Sequence, residues 1–270
     1  MELSDGNLRV IASIAHEAAG LAIGPSKKAM VSARLSKRLS RLGLNDFDEY
    51  LRLIETPNAP ERRRMVAALT TNISHFFREP HHFDALRETV LPPLLRQANE
   101  GARIRIWSAG CANGQEAYSI ALTILGLESK AATLDIRILG TDIDPSVVRF
   151  AQLGTYHGSM MEQVDKIQAA QYFSRDKSAD TCSAGPALRT LTIFRELNLH
   201  SAWPMPGHFD VIFCRNVVIY FDATGQRSLW SRFQEKLTDR GWLFVGHSER
   251  IKGAAAPKLE VQEHTIYRRR

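Results

Sequence analysis

Cysteine is scarce in this 270-residue sequence, and long apolar runs are missing. Its three cysteines are far apart and form no CxxC pair, which argues against a disulfide framework and a thiolate zinc site, so we expect free thiols. Charge-free stretches such as 117–127 are far shorter than the ~20 residues of a membrane-spanning helix. The first nine residues contain Glu2 and Asp5 and no apolar signal core. We therefore expect a cytoplasmic protein without direct membrane insertion.

The composition is that of a soluble globular protein, because 44% of the residues are apolar and 24% are charged. At roughly 150 residues per domain, the length allows one large domain or a small domain joined to a larger one. The 35 Lys and Arg residues exceed the 29 Asp and Glu residues, which gives a formal charge of +6. This surplus favours acidic partners, either nucleic acid or an acidic protein surface.

Apolar side chains recur at helical spacing in the first part of the chain. They are Leu8, Ile11, Ala15 and Ala18 in one segment, and Phe47, Tyr50, Leu51 and Ile54 in another. Pro60 is placed to open a further helix that runs through Leu69, since the first helical turn does not need the N–H that proline lacks. The pattern predicts a helical amino-terminal region.

From about residue 100, short β-rich runs alternate with helical segments. The runs are 104–107, 136–139, 191–194, 211–213 and 242–245. Because they are apolar on both faces, they predict buried parallel strands of an α/β sheet covered by helices. A closing pair, 259–261 and 265–267, predicts an edge hairpin, and the polar stretch between Gly154 and Gly185 indicates an insertion.

A glycine-containing loop joins the first run to a clear helix over 115–125. Gly110 and Gly114 permit tight turns and close ligand approach, and Asp142 ends the next run, where a carboxylate can accept both hydroxyls of a ribose. Glu116 is placed to accept from an ammonium group, or is an acid favoured by the helix dipole. The loop fits a plain turn, a dinucleotide site or an S-adenosylmethionine site. A dinucleotide is disfavoured because the third glycine of its fingerprint is missing, whereas S-adenosylmethionine carries no phosphate.

Six motifs occur in order between residues 70 and 250. They read TTNISHFFRE, WSAGCANGQEAYSIA, GTDID, ELNL, FDVIFCRNVVIYF and GHSE. With these motifs the chain resembles the chemoreceptor glutamate methyltransferases, the CheR family. The resemblance implies an α/β, Rossmann-like S-adenosylmethionine-dependent methyltransferase fold with a small all-helical amino-terminal domain and an inserted antiparallel β-subdomain. The implied ranges are 1–70 for the helical domain, 71–95 for a linker and first cofactor-contacting segment, 96–270 for the methyltransferase domain, and about 155–195 for the β-subdomain.

The resemblance also implies a cofactor site. Carried over motif by motif, its residues are Asn72, Ser74, Arg78, Gly110, Glu116, Asp142, Asn198, Leu199, Arg215 and Asn216. Ser74 stands where the family usually has Thr and keeps the hydroxyl, while Gln115 replaces an acidic residue. Neither departure removes Glu116 or the small residues of the loop.

The implied reaction moves a methyl group from S-adenosylmethionine to a receptor glutamate, giving a methyl ester and S-adenosylhomocysteine. A glutamate with a pKa near ~4.3 is already ionised at pH 7, so no general base is required. Arg78 is the candidate for orienting the carboxylate, and Tyr220 is the candidate for assisting from the other wall. The opposing interpretation makes Arg78 a domain-linking ion and Tyr220 a core phenol.

A basic segment without acidic residues lies between Ala18 and Asn45. At helical spacing its basic side borders an apolar stripe of Val31, Leu35, Leu39 and Leu42. Such a run of basic residues usually forms a helix face that is exposed to solvent. The resemblance implies instead that it faces the acidic methylated helices of the cytoplasmic domain of transmembrane chemoreceptors. The implied substrate-binding residues are Lys27, Arg34, Lys37, Arg38 and Arg41.

We expect a monomer that binds neither nucleic acid nor metal. No RNA-binding module is recognisable, and the adjacent His81 and His82 point about 100° apart on a helix, which is typical of surface histidines rather than of a metal pair. Two alternative functions stay open: a cofactor-binding adaptor that has lost turnover, and a methyltransferase for another acidic substrate such as RNA.

Overall fold

Four helices build the amino-terminal domain in the computed structural model, which describes residues 2–57 and 59–270. They are α1 (Asp5–Ala19), α2 (Lys28–Leu42), α3 (Phe47–Ile54) and α4 (Pro60–Leu69). Ser4 and Asp46 cap α1 and α3 by accepting backbone N–H bonds, and Pro60 occupies the first turn of α4. The apolar residues predicted for α1 and α3 pack in the core of this domain, so the helical prediction is confirmed.

The predicted apolar stripe of α2 is correct except at its last member. Val31, Leu35 and Leu39 are fully buried, whereas Leu42 is 38% exposed. Helix α2 ends with Gly43 in the left-handed conformation, and the N–H of Leu44 bonds to the carbonyl of Leu39. In this type of helix end, the residue after the glycine makes the apolar contact with the helix. Leu44 therefore packs on the core in place of Leu42.

The basic side of α2 does not form the continuous free surface that was expected. Arg34 donates to the carbonyls of residues 69 and 70, at 2.7 and 2.8 Å, and to a threonine hydroxyl. Arg38 forms a bidentate ion pair with Glu61, and Lys27 donates to the carbonyl of residue 22. The reason is that α2 packs beside α4, whose last carbonyls have no helical partners. Only Lys37 and Arg41 of the five predicted substrate-binding residues are exposed.

The second domain contains a seven-stranded sheet with the order β6-β2-β1-β7-β8-β10-β9. Its strands are β1 (Ile104–Ala109), β2 (Ile136–Asp142), β6 (Thr192–Glu196), β7 (Phe209–Cys214), β8 (Leu237–Val245), β9 (Leu259–Glu263) and β10 (Ile266–Arg269). The first five strands of that order are parallel, and β10 and β9 close the sheet as an antiparallel pair. The predicted buried parallel strands and the edge hairpin are confirmed.

Helices cover both faces of this sheet. They are α5 (Pro80–Ala85), α6 (Leu91–Asn99), α7 (Gln115–Leu127), α8 (Pro145–Leu153), α10 (Pro186–Leu191) and α11 (Ala223–Lys236). On one face Ile106 and Phe213 pack with α5, α6 and α7. On the other face Trp107 and Ile212 pack with α11. Strand order reverses between β1 and β7, and in such sheets the crevice at the carboxyl ends beside that reversal is where ligands bind.

The inserted β-subdomain is smaller than expected. It has three antiparallel strands, β3 (Thr155–His157), β4 (Phe173–Asp176) and β5 (Thr181–Ala184), with helix α9 (Lys166–Tyr172). The expected end near residue 195 was wrong, because β6 pairs with β2 in the main sheet. Thr192 and Phe194 are buried there, and burial on the large sheet decides where these residues belong.

The expected linker over 71–95 is also shorter in the structure. Residues from Pro80 onward form α5, a π-helical turn over Leu86–Val90, and α6. Phe83 and Leu91 are buried in the core of the sheet domain. Among the described residues, no helix combines the length and the apolar character needed to cross a membrane.

The ion pair between Arg38 and Glu61 predicts a measurable stability effect. Arg38→Met leaves the buried Glu61 carboxylate with the Tyr50 hydroxyl, 3.0 Å away, as its nearest remaining partner. We expect the free energy of unfolding, measured in urea, to fall by about 3 kcal/mol, because the buried carboxylate loses its bidentate counter-ion and keeps the mostly exposed Arg64, 3.8 Å away, as its cationic neighbour. Arg41→Met, on the exposed side of the same helix, is the control and should change stability little. Equal stabilities of the two variants would contradict this account.

Candidate active site

A cleft of about 830 Å³, including its open mouth, lies between the helical domain and the carboxyl edge of the sheet. The side of the helical domain contributes Ala19 and Leu21, and the segment between the domains contributes 70–74. All predicted cofactor residues line it, together with Tyr220: Asn72, Ser74, Arg78, Gly110, Glu116, Asp142, Asn198, Leu199, Arg215 and Asn216. The fold thus brings residues of five separate motifs together.

Backbone pairing holds the helical domain against the cleft. The N–H of Ala22 donates to the carbonyl of Tyr220 at 2.8 Å, and Leu21 forms an isolated antiparallel bridge with Phe221. The side-chain amide of Asn198 donates to the carbonyl of Ala18 at 2.7 Å, and its oxygen accepts the N–H of residue 200. Asn198 therefore lines the cleft while its side-chain nitrogen contacts the helical domain and its oxygen holds its own loop.

The loop between β1 and α7 turns at two glycines with positive φ, Gly110 at 79° and Gly114 at 87°. A Cβ at Gly110 would lie 2.3 Å from the Val217 side chain, and one at Gly114 would lie 2.7 Å from Ala151. Glycine is thus required here both for the turn and for close packing with the protein's own neighbouring loop and helix. Tight turns and close ligand approach were the two expected reasons: the turns are present, and the tight contacts found at these two positions are with the protein itself.

Asp142 lies at the end of β2 and organises the neighbouring loops. Its carboxylate accepts the N–H groups of Ala112 at 2.9 Å and of Asp144 at 3.0 Å. Burial raises the pKa of the Asp142 carboxyl above its usual value, and the backbone N–H bonds oppose that rise. Each carboxylate oxygen has a second lone pair, so the group can still accept from a ligand in the cleft.

Glu116, in the first turn of α7, pairs with Arg215 at the end of β7. Nε of Arg215 donates to the Glu116 carboxylate at 2.9 Å, and the Ser108 hydroxyl donates to its other oxygen at 2.7 Å. The side chains of Arg215 and Glu116 are only 2% and 10% exposed. Neither expected role of Glu116, as an acceptor for a ligand ammonium group or as an acid at a helix start, included this arginine partner.

His82 is a second partner of Arg215 that sequence reasoning missed. Nη1 of Arg215 lies 2.9 Å from Nδ1 of His82, and the guanidinium lies over the rings of Phe83 and Phe213 at 5.6 and 5.9 Å. His82 is fully buried, so the expectation of a surface histidine was wrong. Its position four residues before the buried Leu86 is the helical signal that indicates an inward side chain.

The segment after α4 places Arg78 at the cleft. Phe76 anchors it, with its ring 5.0 Å from that of Tyr156 and fully buried. The amide of Asn72 donates to Asp144 at 2.9 Å, and Nη1 of Arg78 donates to the carbonyl of Ile73 at 3.0 Å. These contacts connect the motif that carries Arg78 to the loop after β2, on the same cleft.

A third buried carboxylate, after Asp142 and Glu116, shapes the loop after β7. Glu249 accepts the N–H groups of residues 216–219 and of Gly246, at distances from 2.6 to 3.3 Å. Asn216 has a positive φ of 58°, and its buried side-chain oxygen has no hydrogen-bond partner in the described chain. An unpartnered polar atom beside a cleft fits a site that a ligand completes.

One group of potential metal ligands occurs among the described residues, formed by Glu79, His81 and His82. Arg215 donates to Nδ1 of His82 at 2.9 Å, so a cation at that nitrogen would meet a guanidinium. The chemistry of this cluster therefore disfavours a metal ion.

Two family models match the chain. The first, described as "CheR methyltransferase, SAM binding domain", matches residues 72–267. The second, described as "CheR methyltransferase, all-alpha domain", matches residues 7–70. A probable chemotaxis protein methyltransferase of Rhizobium etli is 45% identical over 93% of this chain and 94% of its own. The chemotaxis protein methyltransferase of Escherichia coli is 36% identical over 99% of this chain and 92% of its own.

Among solved structures, the N-methyltransferase NodS of Bradyrhizobium japonicum in complex with S-adenosylhomocysteine is 16% identical, with a TM-score of 0.36 over 69% of this chain and 87% of that chain. That likeness is too low to add to the assignment. The two family models, by contrast, cover nearly the whole chain and divide it where α4 ends. The chain, with its helical domain and its S-adenosylmethionine-binding domain, therefore belongs to the CheR methyltransferase family.

Proposed function

We propose that this chain transfers a methyl group from S-adenosylmethionine to glutamate side-chain carboxylates of chemoreceptors, forming methyl esters and leaving S-adenosylhomocysteine. One observation carries the proposal: the residues that the motifs assign to cofactor binding and to catalysis line a single cleft. The names of the relatives, which are chemotaxis protein methyltransferases, support chemoreceptors as the substrate class.

The side chains of the cleft suit the cofactor. When bound, S-adenosylmethionine supplies a methyl group on a positively charged sulfur. Asp142 would accept from the ribose hydroxyls, and Asn216, whose side-chain oxygen has no partner among the described residues, lines the same cleft.

Arg78 is the residue best placed to orient an incoming carboxylate. It lines the cleft, and only Nη1 of its guanidinium has a hydrogen-bond partner among the described residues. The other N–H groups can donate charge-assisted bonds to a glutamate side chain. Since that glutamate is ionised at pH 7, Arg78 needs to supply alignment rather than a base, and alignment is worth up to roughly 7–11 kcal/mol in favourable cases.

Tyr220 would border the acceptor from the opposite wall. Its carbonyl is bound to the N–H of Ala22, which fixes the backbone, and its hydroxyl has no hydrogen-bond partner in residues 2–57 and 59–270. The helical domain that Tyr220 contacts also limits the access of water to this side of the cleft.

The receptor would approach along a basic groove next to the cleft. This groove shares Ile143, Leu197 and Asn198 with the cleft and is lined by arginines of α2 and α4, among them Arg41 and Arg63. Both are exposed and can attract an acidic helix. The α4 arginines were missed in the sequence analysis, although the run of three at 62–64 was a visible signal.

The first test uses receptor-bearing membranes and S-adenosylmethionine with a radiolabelled methyl group. We expect the wild-type protein to transfer label that base releases, as a methyl ester requires. Arg78→Ala should reduce the transfer rate by at least a hundredfold while the melting temperature stays unchanged, because Arg78 aligns the acceptor. Near-normal turnover would remove Arg78 from the mechanism. Cofactor binding without any transfer would favour an adaptor, and label in RNA would favour the other acidic substrate.

The second test concerns Asp142. Asp142→Asn should weaken S-adenosylhomocysteine binding about tenfold or more in calorimetry, because a hydrogen bond to a charged acceptor contributes roughly 1.5–3 kcal/mol. Asp210→Asn is the matched control, since Asp210 also accepts a backbone N–H, at 2.8 Å, and also has a pKa raised by burial, but lies outside the cleft. Equal affinities for the two variants would refute the ribose role.

The third test reverses charge in the groove. Arg41→Glu combined with Arg63→Glu should raise KM for the receptor about tenfold and leave KM for the cofactor unchanged, with a smaller effect at high salt. The control, Arg96→Glu with Lys130→Glu, makes the same change in net charge at exposed residues that precede β1 and β2, away from the carboxyl edge. If both double variants raised KM for the receptor equally, net charge rather than this groove would be responsible.

A further inference from the structure

A buried series of hydrogen bonds connects the turn between β9 and β10 to the cofactor cleft. Oγ1 of Thr265 lies 2.8 Å from Nε2 of His82, and Nδ1 of His82 lies 2.9 Å from Nη1 of Arg215. Arg215 in turn donates to Glu116, and both of these residues line the cleft, whereas His82 and Thr265 do not. We infer that His82 is a positioning residue that holds the guanidinium of Arg215 in place for the cofactor. The inference rests on the proposed function for the identity of that ligand.

The partners of His82 determine which of its nitrogens carries the proton. The hydroxyl of Thr265 donates to the carbonyl of His264 at 2.5 Å, so it accepts from Nε2–H of His82. A guanidinium has no acceptor, so Nδ1 of His82 must present a lone pair to Arg215. The neutral imidazole with its proton on Nε2 therefore satisfies the contacts with Thr265 and Arg215, and it offers no donor to Oε2 of Glu79, 3.3 Å from Nδ1.

The charges around the ring favour the same neutral form. Besides burial, Arg215, His81 and His264 lower the pKa of His82, and Glu79, one oxygen of which lies 3.3 Å from Nδ1, opposes them with a smaller effect than burial and Arg215. Burial, followed by the charge of Arg215, lowers the pKa of His82 to about 3. His82 stays uncharged throughout the range in which a cytoplasmic enzyme works, so it can accept from Arg215 at all times.

Two bonds in the plane of the guanidinium are needed to fix its orientation. Glu116 accepts at Nε and His82 accepts at Nη1, while the rings of Phe83 and Phe213 approach it at 5.6 and 5.9 Å. Without the bond to His82, the ion pair leaves the guanidinium free to tilt about its contact with Glu116. A partner behind a ligand-binding side chain commonly tunes affinity in this way.

The experiment compares three substitutions of His82 by calorimetry with S-adenosylhomocysteine. His82→Asn retains an acceptor near the position of Nδ1 and loses the bond to Thr265. His82→Gln retains a donor near the position of Nε2 and loses the bond to Arg215, and His82→Leu loses both. We expect the Asn variant to bind within about threefold of wild type, and the Gln and Leu variants to bind at least tenfold more weakly. In receptor methylation assays, KM for the cofactor should rise in the Gln and Leu variants while KM for the receptor stays constant.

The control is His81→Leu, the same substitution at the exposed neighbouring residue, which should leave the affinity unchanged. If His82 only anchored the hairpin, the Gln variant would keep its affinity and the Asn variant would lose it, and this reversed order would overturn the inference. Near-wild-type affinity of His82→Leu, or loss of folded protein in both the Asn and Gln variants, would overturn it as well. Because binding is measured without a receptor, a failure of receptor methylation leaves this test intact.

Discussion

The buried ion pair between Glu116 and Arg215 is the contact on which the cleft depends. It joins the first turn of α7 to the carboxyl end of β7 across the floor of the site, and both side chains are almost entirely removed from water. Removing one partner of a buried ion pair typically destabilises a protein by about 3–5 kcal/mol. The two elements must therefore hold the two charged groups in contact. Ser108 and His82 supply the remaining hydrogen bonds. As a result, β1, α5, α7 and β7 have to meet in one arrangement.

Buried carboxylates shape the other walls by a related principle. Asp142 accepts N–H groups from the loops after β1 and β2, and Glu249 accepts those of the loop after β7. Loops at the end of a sheet leave N–H groups without strand partners, and a carboxylate can satisfy several of them at once. Asp142 therefore has two roles, since the carboxylate that can receive a ligand also holds the backbone around it. Glu249 lies behind the cleft and has only the second role.

The helical domain completes the site. Its helix α2 carries basic residues that are paired inside the domain and basic residues that are exposed. Arg34 and Arg38 stabilise the packing of α2 on α4, although Arg38 also borders the basic groove, whereas the exposed Arg41 lines that groove without such an internal role. The same residue type serves both purposes because a guanidinium pairs equally well with a carbonyl end, a buried carboxylate or an acidic partner. Charge on a helix thus identifies a recognition surface only after the internal partners of each residue are known.

The local pattern of the sequence determined the α/β class, the helical front, the parallel strands and the motif residues that meet in the cleft. These follow from periodicity, turn residues and motifs that depend on near neighbours along the chain. The tertiary structure decided which charges are internal, that His82 is buried against Arg215, and that residues 192–196 join the main sheet. The physical reason is distance along the chain. Arg215 and His82 are 133 residues apart, and many other pairs that determine burial and hydrogen bonding are also far apart in sequence. No local sequence pattern contains both members of such a pair.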